Sequence, residues 1–306
     1  MTNDLKQELR HLDSVEINWD ATLAAHTSLR VGGPVSCLLS PHDVAGLRLA
    51  VQVLSRHNFP YFILGRGTNL VVGDSGVRAA AISLERGFSK LERVGSSGSI
   101  MVGAGVRLSR LLRFCLQEEL SGLEFVAGIP GSVGGGLRMN AGTNIGAMAD
   151  VCAAVLLLQT DGSLSRVRRS QLRFSYRKLE LPRGAALLEA EFSLKPAARR
   201  SMRQQIRALL KTRQQKQPWR LPSAGSVFKN PPDDFAGRLI EAVGLKGIRI
   251  GDAQISEKHA NFIVNRGQAR ASEVLALIHL AREKVSERFG IQLELEIQYL
   301  GNHINV

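Results

Sequence analysis

Residues 64–72 read Leu64-Gly65-Arg66-Gly67-Thr68-Asn69-Leu70-Val71-Val72, and the pattern around this turn decides the fold class. A strand-like apolar run, Tyr61 to Leu64, leads in, and a second one leads out. Glycines let the backbone turn tightly and expose consecutive N–H groups, which suits either a pyrophosphate-holding nest or a plain turn. This is not a dinucleotide fingerprint of the Rossmann kind, because the third glycine is missing and a strand, not a helix, follows. No Gly-Lys-Ser/Thr follows either, which excludes a Walker loop.

Upstream, Val35 to Leu39 reads as a strand ending at Ser40-Pro41. A helix then opens near Asp43, puts Val44, Leu47, Val51 and Leu54 on one face, and stops at Asn58 and Pro60. Parallel strands joined by that helix are the expected arrangement. Downstream, Ser99 to Val102 reads as a strand, and Leu108, Leu111, Leu112, Cys115 and Leu116 fall at helical spacing, with Gly122 at the expected stop. Val151 to Gln159 and Ala186 to Leu194 read as strands, the first turned by Asp161-Gly162. Between helix and strands lies Gly128-Ile129-Pro130-Gly131-Ser132-Val133-Gly134-Gly135-Gly136-Leu137-Arg138-Met139-Asn140-Ala141-Gly142, which neither periodicity explains. Uncharged before Arg138, it fits backbone packing against a flat ligand or a tight buried turn.

The last third opens with a basic helix, in which Arg203, Arg207 and Lys211 form one stripe. A second helix carries Val274, Leu277, Ile278, Ala281, Val285 and Phe289 on one side and stops at Gly290. The tail, Ile291 to Leu300, alternates like a half-buried strand. The expected class is α+β. A polar N-terminal extension (1–20) precedes units at 21–84, 85–198 and 199–306.

A chain of 306 residues can bury a large core without disulfides or metals. Its three scattered cysteines, Cys37, Cys115 and Cys152, suit buried small hydrophobes better than a disulfide framework or a zinc site. No apolar run is long enough to cross a membrane, and the N-terminus lacks the order of a secretory signal, so a cytoplasmic place is expected. The formal charge of +13 stands out, but aromatics are only 5% and do not interleave with arginine, which argues against nucleic acid. The basic stripe fits a solvated face or a field that draws in polyanionic small molecules.

Three polar sites share a context. Phe174-Ser175-Tyr176-Arg177 joins a phenol to a guanidinium. Pro222-Ser223-Ala224-Gly225-Ser226-Val227-Phe228-Lys229-Asn230-Pro231 offers a hydroxyl beside a glycine. Leu293-Glu294-Leu295-Glu296-Ile297 sets two glutamates on one face of the expected strand. A hydroxyl, an arginine and a carboxyl group can stabilise an enolate and protonate its carbon. Ser226 has no local histidine, which disfavours an acylating hydrolase. Read alone, it is equally a loop or cap serine, and Glu296 a solvated strand residue. No carboxylate or histidine cluster points to a metal.

Taken together and in order, the segments resemble the UDP-N-acetylenolpyruvoylglucosamine reductase family. The matching pieces are Thr27-Ser-Leu-Arg-Val-Gly-Gly-Pro34, Gly65 to Leu70, Gly122 to Gly135, Met139 to Gly142, Phe174 to Arg177, Ser223 to Pro231, Ala236 to Glu241, Ile255 to His259 and Leu293 to Glu296. The resemblance implies two FAD-holding subdomains of the vanillyl-alcohol-oxidase/PCMH-like type and a third, substrate-binding domain. Short spacing after Arg177 points to the compact, type II form. It also implies non-covalent FAD, NADPH as hydride donor, and UDP-N-acetylglucosamine enolpyruvate as substrate, in a monomer that makes peptidoglycan precursor. By motif, Ser226 protonates the substrate's α-carbon, and Arg177 and Glu296 stabilise the enolate. Gly65, Arg66, Gly67, Thr68, Asn69 and Leu70 would hold the flavin, with Gly128, Ile129, Pro130, Gly131, Ser132, Gly134, Gly135, Asn140, Ala141 and Gly142. Tyr176, Lys216, Asn230 and His259 would contact substrate. Two departures are Thr68 in place of serine and Leu295 where proline is usual between the glutamates. The rival within the same fold is an oxidase of small alcohols or sugars. Those often tether flavin through a histidine near the first glycine loop, where this chain has Arg66-Gly67-Thr68.

Overall fold

The computed structural model describes residues 1–95 and 98–301. Of the first twenty residues, set apart above as an extension, Val15–Trp19 joins the first sheet and Asn3–Arg10 forms a helix. Helix α1 (Asn3–Arg10), capped by the Thr2 hydroxyl, buries Leu5 and Leu9 and packs on α2. Strand β1 (Val15–Trp19) pairs antiparallel with β2 (Val35–Pro41). Helix α2 (Val44–Arg56) starts where Asp43 accepts from the Gly46 N–H, at 2.7 Å, and buries Leu47, Val51 and Leu54 as its spacing requires. Then come β3 (Tyr61–Leu64), β4 (Leu70–Val72) and β5 (Val77–Ser83). The strands joined by α2 are not neighbours: β5 lies between them, giving the order β1-β2-β5-β3, with β3 and β5 parallel.

Strands β6 (Leu91–Val94) and β7 (Ser99–Gly103) lead to α3 (Leu108–Gln117). This helix stops at Glu118, short of the stop expected at Gly122, and Glu119 takes the left-handed backbone (φ +57°) there. The glycine-dense stretch folds as a short helix, α4 (Val133–Arg138), capped by Ser132. Strands β8 (Cys152–Leu158), β9 (Leu164–Arg168) and β10 (Ala186–Ser193) complete an antiparallel sheet of order β9-β8-β10-β7-β6. Gly162, at φ +84°, turns the β8–β9 hairpin.

Helix α5 (Arg199–Lys216) buries only Met202. Beyond it lie β11 (Ser223–Ser226), α6 (Ala236–Ala242), β12 (Ala253–Ile255), β13 (Phe262–Asn265) and α7 (Ala271–Phe289), which Gly290 ends at φ +67°. The third sheet runs β11-β13-β12 and then the two-residue strand Arg249–Ile250. The tail is a strand only at β14 (Gln298–Leu300), which pairs parallel with β4. Before that it touches a different partner, through a bridge between Phe228 and Leu295. Two short partnerships therefore account for the alternation read as one strand.

The chain divides into two compact units: residues 1–19, 36–65 and 79–211, and residues 20–35, 66–78 and 212–306. In the first, Leu47, Leu54, Ile82, Ile100, Leu111 and Phe192 are fully buried in one core. In the second, Phe228, Leu239, Ile263, Leu277 and Val285 form another. All three cysteines are buried in the core of the first. Burial, with Glu124 next in effect, pushes the Cys115 thiol up to about 12, and burial pushes Cys152 to about 11. Neither is a ready thiolate near neutral pH. No helix among the described residues is long and apolar enough to cross a membrane, and none of their His, Cys, Asp or Glu groups could hold a metal.

Candidate active site

In the second unit Ser226 ends a strand that carries one extra residue. Ser223 pairs with Val264 and Ser226 with Phe262, so three steps on β11 face two on β13. Such a bulge re-aims the next side chain, and Gly225 supplies the left-handed backbone, at φ +81°. A side chain at Gly225 would meet only the Thr68 carbonyl, at 3.9 Å, so the backbone angle and not crowding calls for glycine. Ser226 is half-buried, and its hydroxyl has no hydrogen-bond partner among the described residues.

The tail crosses directly beside it. The Glu296 N–H donates to the Val227 carbonyl at 2.9 Å, and the Lys229 N–H to the Glu294 carbonyl at 2.8 Å. These bonds set Ser226 and Glu296 on adjoining backbone. The two glutamates do not share surroundings: Glu294 is exposed and paired with Lys229 at 3.1 Å, whereas Glu296 is half-buried. The first glycine loop holds the same tail, because Asn69 Nδ2 donates to the Glu296 carbonyl and the Gln298 N–H to the Asn69 carbonyl, both at 2.9 Å. Gly67 is obligatory there. It sits at φ +57°, and a Cβ would lie 2.1 Å from the His26 carbonyl.

Of the expected substrate contacts in this unit, Asn230 is exposed and accepts from the Ala236 N–H at 3.1 Å, which helps to start α6. Lys216 is exposed at the end of α5. His259 Nδ1 accepts from the Asn261 N–H at 3.2 Å, which leaves the proton of the neutral ring on Nε2. Burial first, then the cations Lys246 and Lys216, hold its pKa below the usual 6.5.

The first unit gathers the other predicted residues. Tyr176 and Arg177 form the turn of a small hairpin, Phe174–Ser175 against Lys178–Leu179. Arg177 has a left-handed backbone (φ +59°), lies over the Tyr176 ring at 5.2 Å, and donates to the Gly142 carbonyl at 3.1 Å. Asn140 donates to the Ser175 carbonyl at 3.0 Å and accepts from the Ala149 N–H at 3.1 Å. The second glycine segment thus carries the arginine hairpin.

The glycine segments offer a surface that fits a dinucleotide such as FAD. A Cβ on Gly65 would meet only the Ser132 hydroxyl, at 3.2 Å, and one on Gly135 only the same hydroxyl, at 3.5 Å. Bare backbone from both segments therefore converges on the buried Ser132 hydroxyl with no other atom in the way, and left-handed turns lie at Gly128 (φ +77°) and Gly131 (φ +132°). Such a surface admits a pyrophosphate or a flat ring at backbone distance.

The basic stripe is exposed. Arg199, Arg200, Arg203, Gln204 and Arg207 line a hollow on α5. Only Arg199 among these cations has an acid nearby, Glu119 at 3.7 Å; Arg200, Arg203, Arg207 and Lys211 form no ion pair among the described residues.

Two polar residues that sequence reasoning passed over hold this site. Asn261 is buried between β11 and the tail, and the Ser28 hydroxyl reaches the Ser223 carbonyl at 2.6 Å. Both lie in or beside matched motifs. Their residue types alone say nothing of a role, because a buried amide and a loop hydroxyl are common.

Comparison with known proteins agrees with this geometry. Residues 217–300 match the UDP-N-acetylenolpyruvoylglucosamine reductase C-terminal domain, and residues 35–168 match an FAD binding domain. The chain is 43% identical to a UDP-N-acetylenolpyruvoylglucosamine reductase of Syntrophobacter fumaroxidans, over 97% of this chain and 87% of that one. It is 43% identical to one of Syntrophus aciditrophicus, over 97% and 96%. Among solved structures it resembles UDP-N-acetylenolpyruvylglucosamine reductase from Thermus caldophilus, with a TM-score of 0.81 and 39% identity over 94% of this chain and 98% of that one.

Proposed function

The chain belongs to the UDP-N-acetylenolpyruvoylglucosamine reductase family of FAD-dependent oxidoreductases, and from that premise we propose that it reduces UDP-N-acetylglucosamine enolpyruvate to UDP-N-acetylmuramate with NADPH. This is a step of peptidoglycan precursor synthesis. When bound, FAD would supply two-electron hydride chemistry, linking NADPH, through flavin N5, to the β-carbon of the enolpyruvyl group. Gly65, Ser132 and Gly135 would hold FAD in the first unit.

Hydride arriving at the β-carbon pushes electron density onto the α-carbon and its carboxylate. Ser226 delivers the proton that completes the reduction at the α-carbon. Its hydroxyl suits that role because no acceptor among the described residues ties it down. Arg177 offers a permanent cation to the growing charge. Glu296 helps only as its acid form, because an ionised carboxylate would repel an enolate. Tyr176, Lys216, Asn230 and His259 contact the nucleotide-linked substrate, and the exposed basic stripe on α5 raises the local concentration of that polyanion. The five-stranded sheet supports an FAD subdomain at 85–198, and the sheet begun by β11 supports one at 199–306 for substrate. A further FAD subdomain spans 21–84, to which β1 adds a strand, and the protein works as a cytoplasmic monomer.

The observation that carries this reading is the tail crossing that puts Glu296 on the carbonyl of Val227, next to Ser226. Anaerobic titration tests it. The yellow protein should bleach with one equivalent of NADPH and recover its full flavin band on adding one equivalent of the enolpyruvyl substrate. A bleached flavin that the substrate does not reoxidise would reject the assignment.

A further inference from the structure

Ser226 sits at the weakest point of its own strand. Between the Ser223–Val264 and Ser226–Phe262 pairs the ladder slips by one residue, so the sheet alone does not set where the serine points. Side chains brace the strand on both sides of the slip. Before it, the Ser28 hydroxyl donates to the Ser223 carbonyl at 2.6 Å, while the Ser28 N–H donates to the Gly67 carbonyl at 3.0 Å. After it, Asn261 closes a two-way clamp on Phe228: Oδ1 accepts its N–H at 2.9 Å, and Nδ2 donates to its carbonyl at 2.8 Å. The Asn261 carbonyl also takes the Val227 N–H at 2.8 Å. Asn261 is 3% exposed, so losing either half of that clamp would strand a buried polar group.

We propose that Ser28 and Asn261 are positioning residues for the reduction, holding the slipped strand so that the Ser226 hydroxyl stays aimed at the substrate's α-carbon. The proposal rests on reading Ser226 as the proton donor. Ser28 has a second consequence. It is bonded both to the first glycine loop, at Gly67, and to the strand of the proton donor, so order in the loop that holds the cofactor is passed to the serine through one hydroxyl.

A displacement of about 1 Å in a reacting group can cost on the order of 10²-fold. Ser28→Ala should therefore slow substrate-driven flavin reoxidation by about 10- to 100-fold, while NADPH-driven reduction stays within about twofold; that intact half-reaction reports a folded, flavin-loaded protein. Ser28→Thr, which keeps the hydroxyl, should restore the rate. In a Ser226→Ala background Ser28→Ala should add almost nothing, because a positioning residue acts through the group it positions. Equal slowing in both backgrounds, or failure of threonine to rescue, would overturn the brace. Normal reoxidation in Ser28→Ala beside a large defect in Ser226→Ala would refute the brace and leave the donor standing. Normal reoxidation in Ser226→Ala alone would remove the donor, and the brace with it.

Discussion

The two glycine segments look alike in sequence and do different structural work. The first, Gly65 to Leu70, is spread between strands and hydrogen-bonds outward, through Asn69 to the tail at Glu296 and through Gly67 to Ser28. The second, Gly128 to Gly142, folds on itself into a capped turn of helix and then supports a hairpin, with Asn140 on Ser175 and Gly142 on Arg177. One segment therefore steadies the backbone beside Ser226, the proposed proton donor, and the other the hairpin that carries Arg177. If the proposed roles hold, both glycine segments double as mounts for the proposed catalytic residues, so damage to each segment should leave a different kinetic signature.

The largest effect should come from the first side. Ser226→Ala should slow reoxidation by the enolpyruvyl substrate by about 10⁴-fold or more, at or beyond the upper range for one acid–base group. On the second side, Asn140→Ala frees the arginine hairpin without touching Ser226. It should slow reoxidation by about 10- to 100-fold, and, unlike Ser28→Ala, it should slow it further when combined with Ser226→Ala. Rapid-mixing absorbance at the flavin band reads both.

Smaller tests probe the scaffold. Asp74 accepts from the Ala271 and Ser272 N–H groups at 2.7 and 3.0 Å, capping α7 from a distant loop. Burial alone would raise its pKa, but those N–H groups outweigh it and hold the pKa below 3.8. A lowered folded-state pKa gives stability that is present above the unfolded value and lost as pH falls through the folded one. Asp74→Ala should therefore cost roughly 0.5–1 kcal/mol at pH 7, modest because the carboxylate is exposed. The gap from the parent protein should close below about pH 4, as denaturant melts would register. The smallest effect is expected for Arg203→Glu with Lys211→Glu. A few-fold rise in KM for the nucleotide substrate, fading as salt rises, marks a steering field. An unchanged KM at low salt would leave the stripe a solvated face.

Much of this was legible in the chain. Asp43, the 3.6-residue spacing of α2 and α7, and Gly290 announced their elements because local chemistry decides them. The strand order was not, since β5 enters between β2 and β3 by a tertiary pairing that no periodicity encodes. The end of α3 was misplaced because Glu119, not a glycine, takes the left-handed turn. The tail misled for a related reason, as its alternation serves two different partners in succession. At the site, Ser226 and Arg177 were visible as residue types in matched motifs. Asn261 and Ser28 were not, because their importance lies in which backbone atoms they reach.

The central claim is that Ser226 gives its proton after hydride transfer and takes no part in accepting hydride from NADPH. Anaerobic stopped-flow on Ser226→Ala, with each half-reaction started separately, tests this directly. The expected result is flavin reduction by NADPH at nearly the parent rate and reoxidation by the enolpyruvyl substrate slowed by several powers of ten. Equal impairment of both half-reactions, or none in the second, would contradict the account.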